Sequence, residues 1–237
     1  MRQVPELLKS HTDACSLLIN AAMAGHVRGV LLTFGVLGYG EHGTDWVDED
    51  TPMTPLGYGR FIGAARDRLK HLAESKRLPA TFLLPGWVYG NGGWFKEQLL
   101  TGLEQGQAPL VGAGENYISF VHAEDLAEAY VLAAEAHGYA PEQEYRPVTQ
   151  MLNLVDDQPV TQKEWLSTVA RALGKPLPGS ISMEDCAKQT GELWAESIAC
   201  STRVRNDRAK AALGWTLKHP TIREGVPAAL DTIRKER

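Results

Sequence analysis

Cysteine is scarce: Cys15, Cys186 and Cys200 are the only three in 237 residues, and none stands in a CxxC or Cys/His ligand spacing. Such a set builds neither a disulfide framework nor a zinc site, so no metal ligands are assigned and a reducing compartment fits. Long apolar runs are also missing. No stretch approaches 18 uninterrupted apolar residues, and Met1 to Glu6 lack the apolar run of a secretory signal, so no membrane partner and a cytoplasmic location are expected. Basic residues are not in excess: 24 Lys and Arg face 29 Asp and Glu, for a net charge of −5. Phosphate backbones gain little from such a surface, which argues against nucleic acid and for a small-molecule substrate. Neither an internal repeat nor a low-complexity segment interrupts the chain.

What is present suits a globular core, with 43% apolar residues. Ala14, Leu17, Leu18, Ala21 and Ala22 recur at helical spacing up to the stop at Gly25. Gly29 to Phe34 is a compact apolar run without alternation, the pattern of a strand covered on both faces. A Gly-, Asp- and Pro-rich loop from Gly35 to Pro55 leaves its end. A helix over Tyr58 to Lys76 and a second buried-type strand, Ala80 to Leu84 breaking at Pro85-Gly86, follow. This alternation predicts parallel βαβ units, with ligand sites at the strand ends. Further helices are expected over Trp94 to Gln105, Ala123 to Ala136, Ser182 to Ala199, Asp207 to Ala212 and from Thr221. Strands are expected at Tyr117 to Val121 and Met151 to Val155. Thr161 with Glu164 three residues on makes a capping box for one more helix, closed at Leu173-Gly174.

One further absence concerns the dinucleotide. A domain of that kind opens with a strand running into Gly-x-x-Gly-x-x-Gly, whose amides and helix N-terminus hold the pyrophosphate. Nothing before Val30 has this form. Gly35 to Gly40 and Gly90 to Gly93 read as turns.

Six short motifs in order resemble the epimerase/dehydratase branch of the short-chain dehydrogenase/reductase superfamily. They are Thr33-Phe34-Gly35-Val36 with Tyr39-Gly40, Asp48-Glu49-Asp50-Thr51-Pro52, Pro85-Gly86-Trp87-Val88-Tyr89-Gly90, Phe120-Val121-His122-Ala123-Glu124-Asp125-Leu126-Ala127, Asn153-Leu154-Val155-Asp156-Asp157, and Leu213-Gly214-Trp215. The resemblance implies a partial Rossmann-like, doubly wound parallel α/β sheet lacking its first strands, over residues 1–150. Residues 151–237 would add the remaining strand and a small, mainly helical C-terminal substrate-binding lobe. About 80 to 90 residues of opening strands, at roughly 30 per βαβ unit, are expected to lie outside this chain. The unpaired sheet edge so exposed predicts aggregation or a homodimer.

The resemblance also implies site residues. Thr33 would hold a substrate oxygen and Tyr58 would be the acid/base; the bland alternatives are a strand-finishing residue and a half-buried tyrosine. In the family a lysine four residues after the tyrosine lowers its pKa, but here that position is Ile62. Gly59-Arg60-Phe61 also matches a Trp-Arg-Pro-like stretch of atypical members, in which case Tyr58 is not the catalytic tyrosine. Pro85, Gly86 and Val88 would face the nicotinamide of NAD or NADP, although Leu84 replaces the usual arginine; otherwise they are a plain strand terminator. His122 and Asp125 take an anchoring role, and Trp87, Trp94 and Phe95 line a pocket or pack a domain junction. Two functions remain open. One is an NAD(P)-dependent oxidoreductase or epimerase-like enzyme for a hydroxy or keto small molecule such as a sugar nucleotide; the other is a catalytically inactive binding or scaffold member.

Overall fold

The computed structural model describes residues 3–25, 27, 29–106, 110–138 and 149–236. α1 (Gln3–Ala24), longer than its apolar periodicity indicates, leads to β1 (Val30–Thr33). A loop with one 3-10 turn and β2 (Trp46–Val47) reaches α2 (Gly59–Ser75), followed by β3 (Ala80–Pro85) and β4 (Trp87–Tyr89). Phe95–Leu100 winds as a π-helix into α3 (Thr101–Glu104). β5 (Leu110–Val111), β6 (Tyr117–Ile118), β7 (Phe120–His122) and α4 (Ala123–Gly138) follow. β8 (Thr149–Leu154), β9 (Val160–Thr161), α5 (Gln162–Ala172) and β10 (Ser180–Ile181) come next. α6 (Met183–Thr190), α7 (Glu192–Ala199), β11 (Arg203–Val204), α8 (Asp207–Leu213) and α9 (Ile222–Lys235) complete the order. The helix expected over Ser182 to Ala199 is thus two, broken at Gly191 with φ of 89°.

β1, β3 and β8 form a parallel sheet in the order β1-β3-β8, with Leu32 opposite Phe82 and Leu83 opposite Leu152. Alternation along the strands sends their side chains to two cores. Val30, Leu32, Phe82 and Leu84 pack with Ile19 of α1 and Leu69 and Ala73 of α2. Leu31, Leu83, Leu152 and Leu154 pack with Ala129 and Ala133 of α4 and Ala209 of α8. Helices therefore cover both faces, the doubly wound arrangement expected from the βαβ pattern. Among the described residues β1 has a strand partner only on its β3 side.

The acidic segment after β2 is pinned to this sheet. Tyr39 donates its hydroxyl to Asn153 Oδ1 at 2.9 Å, and the Asn153 amide donates to Glu49 Oε1 at 2.8 Å. All three side chains are buried.

The strand expected to end before Pro85 instead runs through it and changes partner at Gly86. The Gly86 amide donates to Leu154 O at 3.0 Å, and the next amide, of Trp87, donates to Ser119 O at 2.9 Å. A Cβ at position 86 would lie 2.6 Å from Ser119 O, so this crossing admits only glycine. β4 then pairs with β7, Trp87 opposite Phe120. Beyond the crossing a separate core gathers Tyr89, Phe95, Phe120, Trp165, Ile222 and Val226. It joins the π-helical stretch, α5 and α9 into the lobe. Among the described residues no helix is long and apolar enough to cross a membrane.

Candidate active-site cleft

A cleft opens where the strand ends meet the lobe. Val36 and Leu37 from the turn after β1, Trp87 from the Gly86 crossing, Ile118 and Ser119, and Ser197, Cys200 and Thr202 from the lobe line it. Crevices at the carboxyl ends of parallel strands are where such sheets bind ligands.

Its serine and threonine hydroxyls are already committed. Ser119 Oγ donates to Thr202 O and accepts the Val204 amide; Ser197 Oγ donates to Leu193 O and accepts the Tyr58 amide; Thr202 Oγ1 donates to Gly40 O. Burial pushes the Cys200 thiol up to about 11, so no thiolate nucleophile forms there at neutral pH.

The fold does not pair Thr33 with Tyr58. Thr33 follows Leu31 on the strand face that looks towards α4, and its Oγ1 lies 2.5 Å from the Tyr130 hydroxyl. Tyr58 precedes α2, which packs on the opposite face. Strand alternation separates the two: a residue at position 33 cannot turn to the α2 layer without reversing the strand's register. Phe34 and Gly35, the two residues after the strand, carry no hydroxyl. Tyr58 is tied to the cleft wall through Ser197. Its ring lies edge-on to Trp194 at 6.5 Å, Trp194 lies edge-on to Trp87 at 5.4 Å, and its amide is held by Ser197. Ile62 stands near Gly38, with no charge to offer the phenol, and Arg60 is ion-paired with Glu196 at 3.1 Å.

Pro85, Gly86 and Val88 are half-buried around the crossing, and a Cβ at position 35 would lie 3.6 Å from Pro85 O. Trp87 and Trp94 line a pocket next to the cleft, whereas Phe95 is fully buried in the lobe core. His122 and Asp125 tie the start of α4 to the segment before α9. Asp125 accepts the Lys218 and His219 amides at 2.7 and 3.0 Å, His122 Nδ1 accepts the Glu124 amide, and His219 bonds Glu124 Oε2 at 3.2 Å. Burial and the neighbouring His219 hold the His122 pKa below the ordinary imidazole range. Sequence reasoning missed Ser197, Cys200 and Thr202, because lobe residues reach the cleft through tertiary packing that carries no local motif.

A doubly wound sheet whose strand ends face a small lobe is the architecture of the extended short-chain dehydrogenase/reductases. The chain belongs to the NAD dependent epimerase/dehydratase family, whose model matches residues 7–145. It is similar to the 3-diazoavenalumate denitrifying reductase of a Streptomyces species, 28% identical over 221 residues, covering 91% of this chain and 69% of that protein. Among solved structures it resembles the human epimerase family protein SDR39U1 (isoform 2) with NADPH. The TM-score there is 0.82 at 21% identity, covering 98% of this chain and 75% of that one. It also resembles DesIV, a dTDP-glucose 4,6-dehydratase from Streptomyces venezuelae with NAD and TYD bound, with a TM-score of 0.78 at 16% identity, covering 99% and 68%.

The family fold takes NAD or NADP, but the described residues do not fit the whole dinucleotide. The turn through Pro85, Gly86 and Val88 places Trp87 on the cleft wall. At the phosphate end no strand among the described residues runs into a glycine-rich helix start, the cradle a pyrophosphate needs. The close approach that requires Gly86 is to Ser119 O of this chain and makes no cradle.

Proposed function

We propose that this chain carries the substrate side of an NAD(P)-dependent oxidoreductase or epimerase-like enzyme acting on a hydroxy or keto small molecule. The observation that carries this reading is the shared cleft: the turn after β1, the Gly86 crossing and the lobe all line one crevice. In this reading Pro85, Gly86 and Val88 are the cofactor-facing positions, and the cofactor supplies the hydride chemistry when bound. Tyr58 is the acid/base candidate, tied to the cleft wall through Ser197. With Ile62 in place of a lysine it has no activating partner on α2, so its hydroxyl serves as a hydrogen-bond donor to a substrate oxygen rather than as a base. That, and the similarity to a reductase, favour reduction over the repeated proton transfers of a dehydratase. Thr33, turned towards Tyr130, supports the strand end.

The missing cradle and Ile62 favour a second reading, a catalytically inactive member that binds small molecules. Titrating the purified chain with NADH and NADPH, followed by nicotinamide fluorescence, separates the two. Saturable binding in the micromolar range is the expected result for the enzyme; no binding up to millimolar cofactor overturns it for this polypeptide and leaves the binding role.

A further inference from the structure

Two imidazoles and a carboxylate converge where the sheet meets the lobe. His122 closes β7, Glu124 lies in the first turn of α4, and His219 lies in the segment before α9. One ring nitrogen from each histidine and one Glu124 oxygen all lie within 4.8 Å of one another. His219 Nε2 stands 3.2 Å from Glu124 Oε2, and the two imidazole rings are 3.9 Å apart between centroids. None of the three lines the cleft, so the cluster stands apart from the chemistry proposed there.

The cluster is firmly placed but poorly satisfied. Asp125 accepts the Lys218 amide at Oδ1 and the His219 amide at Oδ2, its backbone oxygen accepts the Trp215 indole N–H at 3.0 Å, and Lys218 pairs with Glu128 at 3.4 Å. The segment that carries His219 is thereby clamped to α4. His122 is 4% exposed, yet its Nε2 has no partner and its Nδ1 has the Glu124 amide at 3.2 Å. A buried nitrogen left without a partner forfeits hydrogen-bond energy. An ion taken at either nitrogen displaces no more than that one long bond.

Donor chemistry selects the ion. Two neutral imidazoles and a carboxylate suit zinc and its neighbours among the divalent transition metals, whereas magnesium and calcium call for oxygen ligands. At bonds of about 2.1 Å, tetrahedral neighbours stand roughly 3.4 Å apart, so modest rotation of the Glu124 and His219 side chains closes the set. Exposure rises from buried His122 through the His219 side chain at 15% to that of Glu124 at 57%, which gives an ion a path in and water a place beside it. Glu124 and Asp125 both lie in the first turn of α4 and offset the positive end of its dipole.

We propose that His122, Glu124 and His219 bind a zinc-class divalent cation, with water completing its shell, and that the ion fastens the segment before α9 to the end of β7 and the start of α4. This site is independent of the oxidoreductase reading, and neither cofactor binding nor its failure bears on it.

The test is calorimetric titration of the full, untagged chain with zinc chloride, with magnesium chloride as the comparison, alongside melting curves. One-to-one binding in the micromolar range is expected for zinc and none for magnesium, with the melting temperature raised by roughly 5–10 °C at a hundredfold excess of free zinc over Kd. Glu124→Gln and His219→Ala are each expected to weaken zinc binding at least tenfold. The quantity read is the gain on adding zinc, so a lower starting melting temperature in either variant does not imitate the result. Cobalt in place of zinc reports the ligands: nitrogen and oxygen donors give visible d–d bands without the near-ultraviolet thiolate charge-transfer band that a cysteine ligand brings. Should both variants fail to fold, the cobalt spectrum of the parent chain still separates this site from one built on cysteine. No binding up to millimolar zinc, zinc affinity unchanged in either variant, or a thiolate band with cobalt overturns the assignment.

Discussion

The Thr33 and Tyr130 hydroxyls lie 2.5 Å apart on the α4 face of the sheet. A hydroxyl spent on this bond ties β1 to α4 and is turned away from Tyr58. Thr33→Val is therefore expected to cost about 0.5–1.5 kcal/mol, the worth of one ordinary hydrogen bond. Chemical denaturation reads that loss, and ligand affinity at the cleft should stay within about twofold of the parent. A tenfold or larger loss of turnover at unchanged stability would restore Thr33 as the hydroxyl that holds the substrate.

Tyr39→Phe acts on a different joint. It removes the donor to Asn153 Oδ1 in a fully buried setting, leaving an acceptor with no water to replace the phenol. The expected cost is about 1–3 kcal/mol, seen as a melting temperature lower by roughly 2–4 °C per kcal/mol. An unchanged melting temperature would mean that the acidic segment after β2 is held by the Glu49 bond to Asn153 and the Arg208 pairs with Glu49 and Asp50 without help from Tyr39.

How much of this was legible in the chain depends on the range of the signal. Thr161 and Glu164 announced the start of α5 because capping is local, and Thr161 Oγ1 accepts the Glu164 amide at 3.1 Å. The apolar runs at β1 and β3 were equally plain, since both faces of those strands are covered. Motif order gave the family. The cleft was harder: Thr33 and Tyr58 have suitable spacing, but spacing carries no information on which sheet face a strand residue takes once the register is fixed by partners far along the chain. Gln162 is set against the Trp87 and Trp94 pocket by the Val111 amide, which its Oε1 accepts at 2.9 Å, a contact that no window around residue 162 contains. Pro85 looked like a terminator because the partner change at Gly86 depends on Ser119 and Leu154.

Exposed apolar side chains give the next expectation. Leu17 and Leu18 on α1 are 69% and 49% exposed, Val27 before β1 is 48% exposed, and β1 has no strand partner on its outer side among the described residues. Open edges flanked by apolar surface pair with other chains. Size-exclusion chromatography with light scattering is expected to give a dimer or larger species at tens of micromolar protein, shifted towards monomer by Leu17→Glu. A monodisperse monomer across that range would contradict it.

Asp156 offers a test of the interior by pH. Burial, with Asp157 and Asp125 nearby, raises its carboxyl well above the ordinary range, and Oδ2 has no partner while Oδ1 accepts the Gln158 amide at 3.3 Å. The folded chain binds the proton more tightly than the unfolded one. Its contribution is therefore fully present below the unfolded value near 3.8 and is lost as pH rises through the folded value. Asn in this position keeps the Oδ1 acceptor and carries no charge to bury. Asp156→Asn is thus expected to melt higher than the parent at pH 7 to 8, by roughly 1–3 kcal/mol, with the advantage shrinking as the pH is lowered towards 4. A variant that is less stable at neutral pH would mean that the carboxylate is ionised and paired there, through a contact that amide cannot replace.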